Sequence, residues 1–283
     1  MSCVDLHVHT TASDGTLTPG EVVRYAKTKQ LKAIAITDHD TLEGNQEAME
    51  EGMRIGLEVL PGVEISVECL YGTMHLLGYL IDIDNSFLNE RLGVLQRARS
   101  ERNSKMLGRL IDLGVVIDYG DIQEIAGGGQ IGRPHFAQAI VKRGYSSTPR
   151  EAFQRFLKKG APAYVDKFRF EPEEALGLIR NSRGIPVLAH PCTLGDLGAR
   201  EFESFVLQLI EWGLKGIEVY YPDHKNEQIA YYRYLAEKHK ILITAGSDYH
   251  GSNKPGVEIG VSNAGAQVSC SLVDAMKESR RMS

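Results

Sequence analysis

The chain of 283 residues is poor in sulfur. Its four cysteines (Cys3, Cys69, Cys192, Cys270) are scattered, with no Cys-x-x-Cys pair. That argues against a disulfide framework and against a thiolate metal site, and fits a reducing cytoplasm. No stretch approaches the ~18 consecutive apolar residues of a membrane-spanning helix. The opening Met-Ser-Cys-Val-Asp has no basic segment ahead of an apolar core, so no secretory signal is expected and the expected location is cytoplasmic. Internal repeats and low-complexity tracts are absent. A positive excess is missing too: the formal charge of −5 argues against a protein that coats nucleic acid, and no stable DNA binding is expected. What remains is ordinary for a globular protein, with 42% hydrophobic and 24% charged residues. The length suits one large α/β domain or two smaller ones.

The charge is unevenly spread. Residues 91–169 hold 15 Lys and Arg against 7 Asp and Glu, whereas the remainder holds 17 against 30. A basic middle segment is therefore set into an acidic frame. Most of these cations decorate solvated helices; a few are expected to face a polyanion.

Apolar runs predict seven strands, near His7, Ile36, Glu64, His75, Val187, Val219 and Ile243, most of them separated by helical patterns. Thr18-Pro19-Gly20-Glu21 reads as a capped helix start. From Ser86 a long helical pattern runs to Leu113, followed by shorter ones near Asp118–Ala126, Pro134–Arg143 and Pro149–Lys159. Gly127-Gly128-Gly129 between two of them reads as a flexible connection, because it lacks the strand-before, helix-after context of a phosphate cradle. The expected fold is α/β, a βα barrel or an open parallel sheet, with a helical insertion. The expected domains are a barrel from 1–85 and 163–283, and an insertion over 86–162 that covers the active site.

Side chains that bind metals gather where strands end. His7 and His9 lie two apart on a strand, so they point the same way. His39, Glu64, His75, His190, Asp248 and His250 mark later strands, and Asp14 follows the first. Six of the seven strands thus carry such residues, read as sitting at C-terminal ends, the functional rim of a βα barrel. Six histidines and three carboxylates, with no cysteine, suit manganese, iron(II) or zinc. Nine donors are too many for one ion and suffice for two or three if Glu64 bridges. Such ions attract phosphate and lower the pKa of a bound water.

The motifs Asp5-Leu6-His7-Val8-His9-Thr10, Ser13-Asp14-Gly15, Thr37-Asp38-His39-Asp40, Gly62-Val63-Glu64, His75, Ala189-His190-Pro191 and Gly246-Ser247-Asp248-Tyr249-His250 resemble those of the PHP (polymerase and histidinol phosphatase) superfamily. The resemblance implies a distorted (β/α)7 barrel with a trinuclear centre. It would place His7, His9, Glu64 and Asp248 on one metal, Glu64, His75 and His190 on the second, and Asp14, His39 and His250 on the third. The chain length and helical insertion resemble the TrpH/YciV-type phosphoesterases. That likeness implies hydrolysis of the 3′-phosphate of nucleoside 3′,5′-bisphosphates, and 5′-3′ hydrolysis of short RNA, with two or three divalent ions, manganese foremost.

Within the insertion, Arg99, Arg102 and Asn103 share one helix, and Arg133-Pro134-His135 resembles the group's Gly-Arg-Pro-His motif. These five are the expected substrate-binding residues, holding a second phosphate. Asp38 and Asp40 are read as partners that orient His39 or a water. Asp40 and His190 are the expected catalytic groups, with His190, its neighbourhood or water as the proton source for the leaving alkoxide after an activated water attacks phosphorus in line. His224 and His239 close no strand and are read as structural, and Tyr249 as packing. The competing readings are a phosphatase of another monoester such as histidinol phosphate, an amidohydrolase, and a non-catalytic metal- or nucleotide-binding module. No lysine closes a strand, as a carboxylated amidohydrolase lysine would. The aromatics of the insertion, Phe136, Phe153 and Phe156, fit a helix core better than a stacking surface for RNA.

Overall fold

Apolar runs as short as Ala33–Ile36 bury every side chain, which requires cover on both faces. The computed structural model describes residues 3–127, 129–195, 197–260 and 268–281. Among the described residues, the first half runs β1 (Val4–Val8), α1 (Pro19–Thr28), β2 (Ala33–Ile36), α2 (Glu43–Ile55), β3 (Glu58–Val67) and β4 (Met74–Tyr79). A helical block follows: α3 (Ser86–Asp112), α4 (Tyr119–Ala126), α5 (Arg133–Lys142) and α6 (Pro149–Ala152), which continues into a π turn (Phe153–Leu157). The chain then returns through α7 (Pro172–Asn181), β5 (Ile185–Leu188), α8 (Ala199–Glu211), β6 (Gly216–Tyr220), α9 (Asn226–His239), β7 (Leu242–Ala245) and α10 (Ser271–Arg281).

The strands pair in sequence order. The first edge meets the last where Val8 bridges Tyr249, and His9 N–H donates to the Tyr249 carbonyl at 2.9 Å. This is the distorted seven-stranded barrel that the family resemblance implies. Its interior is filled by Leu6, Leu60, Leu77, Tyr79 and Val187, and α10 adds Val273 and Met276 at the floor. Outside, Val22, Val23 and Ala26 of α1 pack on Val8, Ile34 and Ile36. The α1 start is capped as expected: Thr18 N–H donates to Glu21 Oε2 at 2.8 Å, and Glu21 N–H to Thr18 Oγ1. The helical block has a core of its own, including Met106, Leu110, Phe136, Ile140 and Phe156.

Three expectations are corrected. First, β4 is antiparallel to both β3 and β5. Only residues 68–73 link β3 to β4, too few for the crossover that a parallel pair needs. His75 therefore lies at the start of its strand, and Glu64 lies inside β3, level with His39. A consequence is that β4 exits at the floor, where α3 begins. Second, Cys3 and Cys270 are paired as a disulfide, their Cα atoms 5.3 Å apart. The two lie 267 positions apart in sequence, and no spacing rule marks such a pair. Third, the triple glycine is more than a flexible joint. Gly128 lies outside the described residues, but a Cβ on Gly129 would come within 1.9 Å of the Thr11 carbonyl oxygen. The insertion's backbone thus sits directly on the loop that carries Asp14.

Candidate metal centre

The rim is shaped by irregular backbone held by buried carboxylates. Between Asp5 and Val8, β1 has one residue more than β2, a bulge. The inner face passes from Leu6 to His7 and His9, and the imidazoles turn into the barrel mouth. Asp5 accepts hydrogen bonds from Ser247 N–H (2.9 Å), Ser247 Oγ (2.6 Å) and Gly260 N–H (2.7 Å), fixing the loop after β7. Asp38 accepts from Thr10 N–H (2.7 Å), Thr10 Oγ1 (2.7 Å) and Ser13 Oγ (2.6 Å). It therefore holds the turn before Asp14 instead of orienting His39.

Glu64 is the centre of the arrangement. Its Oε2 faces His39 Nδ1 at 2.9 Å, His9 Nε2 at 3.2 Å and His7 Nε2 at 3.4 Å. Its Oε1 faces His75 Nδ1 and His190 Nε2, each at 2.8 Å. Asp248 Oδ1 lies 3.4 Å from His7 Nε2 and 3.2 Å from His9 Nε2. On the other side, His250 Nε2 is 3.2 Å from Asp14 Oδ1. Eight of the nine expected donors fall into three overlapping groups: His7, His9, Glu64 and Asp248; His9, Asp14, His39 and His250; His39, Glu64 and His75. The ninth, His190, meets the cluster through Glu64 Oε1.

These donors fit divalent cations. His7 Nε2, His9 Nε2, His39 Nδ1 and Glu64 Oε2 are buried and without a hydrogen-bond partner, yet they face one another. Buried polar atoms left this way are costly unless something binds them. Donors about 2.1 Å from a shared ion lie about 3.0–3.4 Å apart, close to the spacings here. Burial pushes the Glu64, Asp14 and Asp248 carboxyls up, but the surrounding imidazoles outweigh it and hold all three well below the usual range. Burial lowers His75 to about 4 against the pull of Glu64, leaving it a neutral donor.

Facing the donors across a cavity of about 360 Å³ are cations from the insertion and the segment after it. Arg99, Arg102, Arg133, Lys167 and Arg169 line this wall. Arg102 is pushed down to about 9 by burial and by Arg99 and Arg133 beside it. Arg133 lies over the Phe153 ring, 5.2 Å from its centroid.

The chain matches the PHP domain model over residues 5–250. It belongs to the PHP family. The chain is 33% identical over 92% of its length to a 3′,5′-nucleoside bisphosphate phosphatase from Chromobacterium violaceum, covering 91% of that protein. It is 34% identical over 90% of its length to the 5′-3′ exoribonuclease Rnm of Escherichia coli, covering 87% of it. A solved structure from Bifidobacterium adolescentis, described as an inferred metal-dependent phosphoesterase, superposes with a TM-score of 0.87 at 29% identity, over 97% of this chain and 95% of that one.

Within this PHP domain, three expected site residues, Asp40, Asn103 and His135, take other places. Asp40 is fully buried and does not line the cavity; it pairs with Arg99 and with Lys167 Nζ at 3.2 Å, and accepts from Ser66 N–H at 2.9 Å. It positions the cationic wall. Asn103 donates to the Ile131 carbonyl at 2.8 Å and accepts from Arg102 Nε at 3.0 Å. His135 is fully buried and caps α5, its Nδ1 accepting the Gly132 N–H at 3.1 Å. His190 stays among the donors, its Nε2 2.8 Å from Glu64 Oε1 and its Nδ1 3.1 Å from Thr193 Oγ1. His224 and His239 are structural, facing the Val219 carbonyl (2.9 Å) and Glu203 (2.7 Å).

Sequence reasoning missed Lys167, Arg169, Glu218 and Lys254. Glu218 was legible only as a carboxylate inside the apolar run Ile217–Val219. Lys254 Nζ lies 2.7 Å from Asp248 Oδ2, the oxygen turned away from the imidazoles. Lys167 and Arg169 follow the insertion in an extended segment that no motif marks.

Proposed function

We propose that this PHP domain is a metal-dependent phosphoesterase that removes the 3′-phosphate from nucleoside 3′,5′-bisphosphates. The observation that supports it is one cavity with two unlike walls: nitrogen and oxygen donors on the barrel, guanidinium groups opposite. A substrate with two separated phosphates suits both walls at once. The proposed arrangement has residues 86–162 as a cap on a barrel of 1–85 and 163–283.

His7, His9, Glu64 and Asp248 would hold one ion, Glu64, His75 and His190 a second, and Asp14, His39 and His250 a third, with manganese as the favoured metal. Bound there, divalent cations supply charge for the phosphoryl oxygens and an activated water. Arg99, Arg102 and Arg133 grip the second phosphate and so orient the first. Asp40 keeps Arg99 and Lys167 aimed at the cavity. Tight burial of His7 and His9 below the cavity floor excludes bulk water from their donor atoms. The leaving alkoxide takes its proton from solvent at the cavity mouth.

Phosphate release in manganese tests this, with adenosine 3′,5′-bisphosphate, AMP, histidinol phosphate and a short 5′-phosphorylated RNA compared. Fast release from the bisphosphate, with AMP accumulating, is the expected result. Equal rates on the bisphosphate and histidinol phosphate would sink the two-phosphate reading. The likeness to an exoribonuclease favours one further reading, stepwise hydrolysis of short RNA from its 5′ end, which the RNA arm measures.

A further inference from the structure

Among the described residues, strand β6 is the one strand whose end adds nothing to the nine donors. Its middle residue, Glu218, is nonetheless fully buried. Oε1 lies 3.0 Å from His7 Nδ1, and Oε2 accepts the backbone N–H of His190 at 2.7 Å. A carboxylate offers only acceptors, so both partners must be donors. His7 Nδ1 then carries the ring proton, and the lone pair is on Nε2, the atom facing Glu64 and Asp248. At His190 the bond restrains a backbone at φ +23°, a conformation rarely adopted by residues with a Cβ. From it the ring reaches Oε1 of Glu64 at 2.8 Å. His7 and His190 meet opposite oxygens of Glu64.

We propose that Glu218 is a positioning residue that sets both sides of the Glu64 bridge together, choosing the ring tautomer of His7 and pinning the backbone of His190. The inference rests on the reading of this site as a metal centre. It explains why a carboxylate interrupts the apolar strand Gly216–Tyr220. A carboxylate behind a ligating histidine orients the ring and raises its basicity, and its loss typically costs roughly 10–100-fold in metal affinity.

Glu218→Gln is the discriminating change, because it is nearly isosteric but has one acceptor and one donor group. If its oxygen keeps the His190 N–H, its NH2 faces His7 Nδ1. The ring proton is then driven to Nε2, and His7 is lost as a donor. If the amide turns the other way, the NH2 meets the His190 N–H and that backbone is released. Manganese binding is measured by titration, with bound metal per chain counted after dialysis. Long-range ¹H–¹⁵N spectra of histidine-labelled, zinc-loaded protein report the tautomers. The expected result for Glu218→Gln is at least one ion fewer per chain, or affinity weakened about 10–100-fold, with the Nδ1–H signature of His7 lost where the amide nitrogen faces it. Wild-type stoichiometry, affinity and tautomer in Glu218→Gln would overturn the proposal. Should that variant fail to fold, Glu218→Asp retains two acceptors on a shorter stem, and undiminished metal affinity in it would likewise overturn the proposal. A wild-type chain that binds no metal is a different failure, since it removes the reading beneath.

Discussion

The two walls of the cavity are built to different standards. On the barrel side, the donors sit on strands, at strand exits or, for Asp14, on the loop after β1, and buried carboxylates tie the loops beneath. Asp5 secures the segment after β7, Asp38 the turn before Asp14, and Glu218 spans His7 and His190. On the insertion side, the cations hang from helices and one extended segment, and Asp40 alone gathers Arg99 and Lys167. The contrast matches the demands of each job. Metal donors need spacings fixed to within a few tenths of an ångström, whereas a phosphate grip made by long side chains tolerates adjustment. Under the proposed function, chemistry belongs to the rigid wall and substrate choice to the adaptable one.

That division can be broken by mutation. The largest effect is expected for His9→Ala, which removes a donor shared between two of the groups. Bound metal and turnover should fall together, by more than the roughly 10–100-fold typical of losing a supporting partner. An active, metal-depleted variant would refute the assignment of the barrel wall. Next is Asp40→Ala, which leaves two buried cations unpaired. Urea unfolding should show a loss of about 3 kcal/mol, with metal content intact in the folded fraction. Loss of metal from the folded protein would show that the two walls are not separate.

Arg133→Ala should be smaller in total and confined to one parameter. A charge-assisted hydrogen bond of about 1.5–3 kcal/mol corresponds to a KM for the bisphosphate raised about 10–100-fold, with kcat nearly unchanged. An equal fall in kcat would move Arg133 from grip to chemistry. The smallest effect concerns pH. Burial holds Lys167 down to about 7, against the pull of Asp40. Its charge is present below that pH and fades above it, so the folded cavity gains anion affinity as pH falls. Sulfate, which does not titrate in this range, should bind severalfold more tightly at pH 6 than at pH 8.5. Lys167→Met should flatten the difference; an unchanged slope would assign it elsewhere.

The barrel was readable because its signals are local. Apolar runs of four or five residues with a histidine or carboxylate just beyond can be located without knowing their partners. Asp40, Asn103 and His135 show where this reasoning stops. By residue type and position each looks like a site residue, yet each spends its polar atoms on a neighbour: a cation pair, a carbonyl, a helix cap. Only the fold says which way such a side chain turns. Glu218 is the converse, a residue hidden inside an apolar strand whose role depends on two histidines 211 and 28 positions away. The reversal of β4 was within reach, since a six-residue link cannot make a parallel crossover.

That reversal has a mechanical outcome. Because β4 delivers the chain to the floor, α3 must climb the whole wall before it can reach the cavity. It has 27 residues, about 40 Å of helix. Its lower turns pack Leu88, Leu92 and Leu95 against the barrel, and Arg99 and Arg102 arrive at the top. The helix is thus a ruler whose zero is fixed at Asn85, its N-cap. One residue inserted between Leu95 and Arg99 would lift both arginines by about 1.5 Å and swing them about 100° around the axis, while leaving every donor on the barrel where it was.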